Sequence, residues 1–313
     1  MKTVVLRLYG GLGNQLFQYA YLFQLYNPGK INCYIDIYGY DQTANNSIEK
    51  KEEVRHALIT CFNISIPICS YFRSAWFFGY SGKNFFARAF FKIFRIFFPI
   101  HRLKQNNHQT LEFLSDKKRI GISGRFQSVK YFDKVKDKLI REFEVGRPVK
   151  SMVEDRLSKL GIKENFVAVH IRGKDYVYNK FYQQNLGCLG LQYYHDAFAI
   201  IEKNIQNPHF FIFTDDKNYV ETAYSSVFSK RKTSFIDDFL EVENRYRDVV
   251  EFLLMANFPN KIISNSTFAL WTIIINEHYG DYVNIVPSSW SKNPALSDEN
   301  IFPQGVIKVE SNF

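Results

Sequence analysis

Acidic residues are missing from a long stretch of this chain: between Val54 and Leu111 there is no Asp or Glu. The same stretch carries eight basic residues, Arg55, Arg73, Lys83, Arg88, Lys92, Arg95, Arg102 and Lys104, and so holds eight of the nine net positive charges. The rest is close to neutral. A nucleic-acid binder is thereby disfavoured, because its basic footprint should track a groove rather than one apolar segment. Cysteine is scarce as well. The four, Cys33, Cys61, Cys69 and Cys188, form no C-x-x-C pair and no spacing with His suited to zinc, so they read as buried free thiols of a reducing compartment. No window reaches about 18 uninterrupted apolar residues, which argues against a spanning helix. Val4-Val5-Leu6 is broken at once by Arg7, which argues against a signal peptide. Internal repeats and low-complexity tracts are absent too. A soluble, cytoplasmic protein is the expectation.

What is present is an enzyme-like composition. The 313 residues suit two domains at about 100–200 residues each. A chain of this length buries about three quarters of its unfolded surface, so it needs neither disulfides nor a structural metal. Apolar residues make up 46% and charged residues 23%, which excludes disorder and collagen. The aromatic share of 17%, with 31 Phe and 20 Tyr, points either to aromatic-rich packing or to surfaces that meet sugar rings, bases or lipid.

Val4–Tyr9 reads as a strand running into Gly10-Gly11-Leu12-Gly13, followed by a helix from Gln15 to Tyr26 and a second strand from Ile31 to Ile37. Pro148 and Gly161 bracket a predicted helix, and the domain boundary is placed near Pro148. Beyond it strands and helices alternate: Phe166–Ile171, Gln192–Asn204, Phe210–Thr214, Asn218–Phe228, Lys261–Ser264, Thr267–His278 and Val283–Pro287. Such alternation predicts an α/β fold with a parallel sheet, whose ligands bind off the carboxyl ends of the strands.

Four motifs lie at such ends. In the first, Gly11 and Gly13 match the start of a dinucleotide fingerprint, with Asp36 at ribose distance, but its third glycine falls on Leu16. A tight turn alone is a second reading. A third has Asn14 and Gln15 at a helix N-terminus bonding a polar ligand. In His170-Ile-Arg-Gly-Lys-Asp-Tyr176, the forked guanidinium of Arg172 suits a diphosphate. Asp175 either holds that fork, in a plain salt bridge with Arg172, or binds a sugar hydroxyl. In Phe210-Phe-Ile-Phe-Thr-Asp-Asp216, the two carboxylates suit a metal, hydrogen bonds from a base or ribose, or capping of the next helix; capping is the plain reading of Asp216, and ligand contact is favoured for Asp215. Ser264-Asn265-Ser266-Thr267 opens a helix and offers an anion site, or simple capping by Ser266.

With these motifs in this order, the sequence resembles the bacterial α-1,2-fucosyltransferases of glycosyltransferase family 11. The matching stretches are GGLGNQLFQYA at 10–20, GRFQSVKYF at 124–132, HIRGKDYV at 170–177, QYYHDA at 192–197, FTDD at 213–216 and SNSTFALW at 264–271. The resemblance implies a GT-B-like α/β fold, with two Rossmann-like domains facing a cleft. Residues 1–148 would form the acceptor-side domain and residues 149–313 the GDP-fucose-binding domain. No metal or other cofactor is implied, since GDP-fucose is a co-substrate.

The resemblance further implies that Arg172 engages the donor diphosphate, that His170 and Asp215 lie near the nucleoside, that Ser266 and Thr267 lie near the phosphates, and that Asn265 is donor-binding as well. Gly11, Gly13 and Gln15 join the donor-binding set, and Asn14 matches an asparagine at the reaction centre. Three departures from the family pattern bear on acceptor choice: Gly173 stands where a second Arg is usual, Ala269-Leu270 replace Ser-Trp before Trp271, and Arg125 stands where Tyr is usual.

The implied reaction is transfer of L-fucose, with inversion, to O2 of a terminal β-galactose on an oligosaccharide or lipid-linked glycan. Asn14 would orient the acceptor hydroxyl while the departing phosphate takes its proton, with Asp175 as second choice of base. The alternatives are a glycosyltransferase using another nucleotide sugar and a non-catalytic carbohydrate-binding protein. One further segment, Phe85–Phe98, has helical periodicity, with Arg88, Lys92 and Arg95 on one stripe and Phe86, Phe90, Ile93, Phe94 and Phe97 opposite. Either this helix packs on the first domain and leaves a solvated basic face, or the surface rests on anionic lipid.

Overall fold

A computed structural model describes residues 1–40, 56–79, 84–104, 117–242, 244–276, 279–296 and 300–313, with the side chains of Lys174, Asp175, Asn244 and Tyr279 outside the description. The chain divides into two compact units, Met1–Glu144 and Val145–Phe313. The division falls just before the Pro148 that the sequence suggested.

The first unit opens with β1 (Lys2–Arg7), whose Val4, Val5 and Leu6 are fully buried. Then follow α1 (Leu12–Leu25) and β2 (Ile31–Asp36), α2 (Tyr71–Phe78), α3 (Phe85–Phe97), β3 (His101–Lys104), β4 (Arg119–Ser123) and α4 (Lys136–Glu142). The sheet order is β2-β1-β4-β3 with every pairing parallel. α1 is buried almost all round, through Leu16, Phe17, Tyr19 and Ala20. α2 adds Phe77, which packs with Val5 and Cys69. At the C-terminus of α2 the Ala75 carbonyl accepts from the Gly79 N–H at 2.9 Å, and those of Trp76 and Phe77 lack helical partners, as at any helix end. Two arginines supply them: Arg95 donates to the oxygens of Trp76 at 2.8 Å and Ala75 at 2.9 Å, and Arg102 to that of Phe77 at 2.7 Å.

This inward turn of Arg95 corrects the expected polar stripe. α3 attaches by Phe91 and Arg95, while Phe86, Phe90, Ile93 and Phe97 face outward. Of the expected aromatic face, Phe94 packs on Trp76 and Phe72 of α2, with ring centres 5.1 and 5.6 Å apart, and the other four residues are left to solvent.

The second unit runs α5 (Arg147–Leu160), β5 (Phe166–Ile171), α6 (Lys174–Tyr178), α7 (Lys180–Asn185), α8 (Leu191–Asn204), β6 (His209–Thr214), α9 (Lys217–Ala223), α10 (Ser225–Phe228), β7 (Thr233–Phe235), α11 (Asn244–Asn257), β8 (Asn260–Ile262), α12 (Thr267–Ile274), β9 (Asn284–Pro287) and β10 (Ile307–Val309). α5 has Pro148 in its first turn and ends at Gly161, which is left-handed at φ 55°. The sheet order is β10-β9-β8-β5-β6-β7, again all parallel. Tyr193, Ala197, Phe198 and Ile201 of α8 cover one face. On the strands, Phe211 and Phe213 pack edge-on against Phe258, with ring centres 5.2 and 5.5 Å apart.

Each sheet thus contains a point where the strands on either side are reached by connections running in opposite directions. In the first unit β1 lies between β2 and the later β4, and in the second β5 lies between β6 and the later β8. Such switch points open a crevice at the carboxyl ends of the strands. The glycine-rich turn after β1 and the His170–Tyr176 motif after β5 each sit at one of them.

Candidate active site

In the second unit, Ile171 pairs with Thr214 as the last step of the β5–β6 ladder. Arg172 and Asp215 therefore leave the sheet side by side. Arg172 Nη1 donates to Asp215 Oδ2 at 2.8 Å, and the two side chains keep 20% and 21% of their exposure. The other carboxylate oxygen, Oδ1, accepts from the backbone N–H of Gly173 at 2.7 Å. The guanidinium also lies 5.4 Å from the ring centre of Tyr176. Asp215 is thus a partner of Arg172, while the salt bridge read from the sequence between Arg172 and Asp175 falls on a side chain outside the described residues. Asp216 is the helix cap that was expected, with Oδ1 accepting from Tyr219 N–H at 3.1 Å.

Across the switch point, Ser264 Oγ lies 2.7 Å from His170 Nδ1. Burial, assisted by the positive charge of Arg172, pushes the His170 imidazole down to about 3, so the ring is neutral at physiological pH. Only 5% of His170 is exposed. In this structure its side chain joins the end of β5 to the turn after β8. The strand ends are tied down from α8, where Tyr193 and Tyr194 donate their hydroxyls to the carbonyls of Ile263 at 2.5 Å and His170 at 3.2 Å. These tyrosines belong to the QYYHDA stretch, for which the sequence offered no role.

Asn265 Nδ2 donates to the carbonyls of Leu186 and Gly187, both at 3.1 Å. Its Oδ1 is buried and has no hydrogen-bond partner among the described residues. Tyr176 hydroxyl donates to the Asn265 carbonyl at 3.1 Å, linking α6 to the same turn. Ser266 stands at the N-cap of α12, yet its hydroxyl makes no capping bond. Simple capping is therefore not its role. With Thr267 it opens α12, where first-turn N–H groups and the helix dipole favour an anion.

A residue that sequence reasoning passed over, Glu251 on α11, belongs to the same electrostatic neighbourhood. Burial first, and then Asp237, Asp248 and Asp215, push its carboxyl up to about 8, with Arg247 opposing them. No motif marked it. It lies in α11, a helix for which the sequence reading gave no expectation.

In the first unit, Gly10 takes φ +81°, and a Cβ there would meet Asn14 Nδ2 at 2.7 Å. This is the position in the turn that requires glycine. Gly11 is the extended N-cap residue of α1, its carbonyl accepting from Asn14 N–H at 3.0 Å, and Gly13 is buried in the first turn. The donor-binding assignment of Gln15 is corrected. Its Nε2 donates to the carbonyls of Gly10 and His56, its Oε1 accepts from Ile59 N–H, and the residue is fully buried. Both donors and the amide oxygen are committed to holding the turn. Asp36 is likewise committed, to Arg7 Nε at 2.7 Å and Tyr38 N–H at 3.0 Å, which removes the ribose partner that a nicotinamide site would need.

Asn14 remains partly exposed, and its Oδ1 accepts from Gln127 Nε2 at 2.7 Å. Gln127 comes from the GRFQSVKYF stretch at the carboxyl end of β4, so the first and second motifs converge on the β1–β4 switch point. Its neighbour Phe126 adopts a left-handed φ of 53° and stacks on Tyr21 with ring centres 3.9 Å apart. Arg125 bonds the hydroxyl of Tyr9, opposing the rise in its pKa that burial causes.

Among the described residues, no group of three or more His, Cys, Asp or Glu gathers to hold a metal ion. The thiols of Cys33 and Cys69 are buried and pushed up to about 12 by burial, far from reactive. Cys61 and Cys188 are only partly buried.

Comparison with known proteins supplies the wider setting. The profile described as Glycosyl transferase family 11 matches residues 83–310. An α-1,2-colitosyltransferase of Escherichia coli is 26% identical over 311 residues, covering 99% of this chain and all of that protein. The O-antigen biosynthesis glycosyltransferase WbnK of Escherichia coli is 25% identical over 303 residues, covering 90% of this chain and 93% of the relative. Among solved structures, a mutant of Arabidopsis thaliana FUT1 in complex with GDP superposes with TM-score 0.51 at 11% identity, over 88% of this chain and 69% of that one. The Bradyrhizobium α-1,6-fucosyltransferase NodZ, co-crystallised with GDP, gives TM-score 0.51 at 13% identity, over 87% and 91%. The fold is that of these GT-B enzymes.

Proposed function

The chain belongs to glycosyl transferase family 11, and from that premise we propose that it moves L-fucose from GDP-fucose to O2 of a terminal β-galactose, with inversion at the sugar carbon. It is a glycosyltransferase that uses a nucleotide sugar; the sugar, the nucleotide and the linkage are the substance of the proposal. The observation that carries it is the pairing of Arg172 with Asp215 across the carboxyl ends of β5 and β6, in the sheet whose β8 leads into α12, where Ser266 makes no capping bond. Inverting transfer passes through an oxocarbenium-like state while negative charge grows on the departing phosphate. A guanidinium fixed by Asp215, together with the N–H groups and hydroxyls of Ser266 and Thr267, stabilises that charge without reorganising.

Asp215 and Gly173 hold the geometry of the donor site, and neutral His170 braces Ser264 beneath it. On the acceptor side, Asn14, steadied by Gln127, orients the attacking hydroxyl. No residue is assigned as a strong base; the phosphate accepts the proton as the bond to fucose breaks, and Asp175 is the alternative acceptor. The reaction is proposed to need no metal.

The name of the O-antigen relative supports an acceptor that belongs to a surface polysaccharide, where the galactoside is carried on a lipid-linked glycan. A second reading keeps this site and changes the sugar: the end-to-end match to a colitosyltransferase favours a colitosyl donor. One experiment separates the two. The protein is incubated with GDP-fucose or with nucleotide-activated colitose against a panel of β-galactosides, and the product linkage is read by NMR. An α-1,2-fucosyl product from GDP-fucose supports the first reading, and turnover of the colitosyl donor alone replaces it with the second. Donor hydrolysis and transfer both absent would leave a carbohydrate-binding protein.

A further inference from the structure

The helix α3 is amphipathic in the inverted sense. Asn84 caps its start by accepting from Ala87 N–H at 3.1 Å, and the helix is then fastened to the unit by Phe91 and by the inward guanidinium of Arg95. The side left to solvent is the apolar one. Phe86 is 82% exposed, Ile93 55% and Phe97 74%, and with Phe90 they follow the i, i+4, i+7, i+11 spacing of a single face. Phe72 of α2 continues the patch, its ring 6.3 Å from that of Phe90. A soluble protein ordinarily buries such a face, because exposed apolar area is unfavourable in proportion to its extent.

The charge around the patch says what covers it. Arg88 and Lys92, on the flank of α3, and Lys104, at the end of β3, are exposed, and no Asp or Glu occurs between Val54 and Leu111. The partner must present apolar depth and negative charge together. A second copy of the chain would set like charge against like. At thirteen residues, α3 is about 20 Å long, too short for the hydrocarbon core of a bilayer at about 30 Å. Among the described residues no helix is long and apolar enough to cross a membrane. A helix of this length and pattern lies in the plane of the interface.

We propose that the α2–α3 face docks on an anionic phospholipid bilayer, with Phe86, Phe90 and Phe97 entering the interface and Arg88 and Lys92 at the headgroups. The contact is independent of the transfer chemistry, so it is read without donor or acceptor. The test is co-sedimentation of the full chain with vesicles of phosphatidylcholine, with and without phosphatidylglycerol, at low and high salt. Binding is expected with phosphatidylglycerol and to weaken as salt rises. The triple variant Phe86→Ser/Phe90→Ser/Phe97→Ser should lose it, and Arg88→Glu/Lys92→Glu should lower partitioning about tenfold or more. The substituted side chains are all solvent-facing, and an unchanged melting temperature verifies that the variants are folded. Absence of binding to anionic vesicles at low salt overturns the proposal, as does binding that survives the Phe substitutions or is equal on pure phosphatidylcholine. A concentration-dependent dimer in sedimentation velocity that the triple variant converts to monomer would assign the face to a second copy instead.

Discussion

Gly173 and Asp216 approach so closely that a Cβ on the glycine would lie 2.7 Å from the Cβ of the aspartate and 3.3 Å from Asp215 Oδ1. The atom in the way belongs to the stem of a helix cap and cannot swing aside. A side chain at 173, including the arginine usual in the family, must therefore displace the turn that carries both carboxylates. Gly173→Ala is expected to destabilise the protein by about 1–3 kcal/mol and to lower kcat/KM. Urea unfolding and initial rates measure the two effects; a fully stable, fully active variant would mean that the turn gives way freely.

Arg172→Ala removes a charge-assisted contact of about 1.5–3 kcal/mol from donor binding, and more from the transition state, where the phosphate is more charged. A fall in kcat/KM of at least about 10²-fold is expected, with an unchanged circular dichroism spectrum. Asp215→Asn should produce part of the same loss by loosening the guanidinium. Near-normal turnover in Arg172→Ala would remove that residue from the mechanism.

Gln127 acts through Asn14. Gln127→Ala removes one of the bonds that hold the Asn14 amide, so kcat should drop about tenfold or more, while KM for the donor stays as it is. The conservative Gln127→Glu cannot donate and should not rescue. A change confined to donor KM would place Gln127 elsewhere in the mechanism.

Two buried charges give pH profiles of opposite sense. Glu251 has its folded pKa raised to about 8, so the unfolded chain releases that proton first and stability falls as pH climbs from about 4.5 to 8. The melting-temperature gain of Glu251→Gln should grow across that window. Lys261, whose Nζ donates to the Phe258 carbonyl, is pushed down to about 7 by burial. It destabilises most below pH 7 and progressively less toward 10.5, so the gain from Lys261→Met should shrink as pH rises. Melting curves at four pH values test both slopes.

Asp215 is held by Arg172 and Gly173, and Asp216 caps α9. Both are accounted for without a cation. Transfer is expected to continue in EDTA, and a strict requirement for Mn²⁺ or Mg²⁺ would reassign the pair.

The sequence made β5 and β6 legible because buried parallel strands are continuous apolar runs, and FVAVHI and HFFIFT qualify. It made α5 legible through Pro148 and Gly161. α11 was missed: Arg245, Arg247 and Asp248 dilute its first turns, and only its packing reveals that Val249, Val250 and Phe252 share a buried face. β3, with sequence HRLK, is an exposed edge strand without an apolar signature. The single helix expected over Asn218–Phe228 breaks at Tyr224, whose hydroxyl donates to the Leu189 carbonyl.

At the site, motif residues were easy to nominate but their division of labour was not. Asn14 and Gln15 are adjacent polar residues at one helix start, and only tertiary contacts make the second a buried clamp. Periodicity likewise sorted α3 into faces without saying which face looks inward.

The arginines that close α2 reach their carbonyls from 20 and 25 residues away in the chain. Until α3 and β3 are in place, the carbonyls of Trp76 and Phe77 have water as partner, whereas that of Ala75 already accepts from the Gly79 N–H. Loops of that size close at modest entropic cost, and contacts at short separation favour fast assembly. The contact of α2 with Arg95 of α3 is thus local and can form early on a nascent chain. Arg102 completes the helix end later, because β3 is held in the sheet by β4, which is made after it.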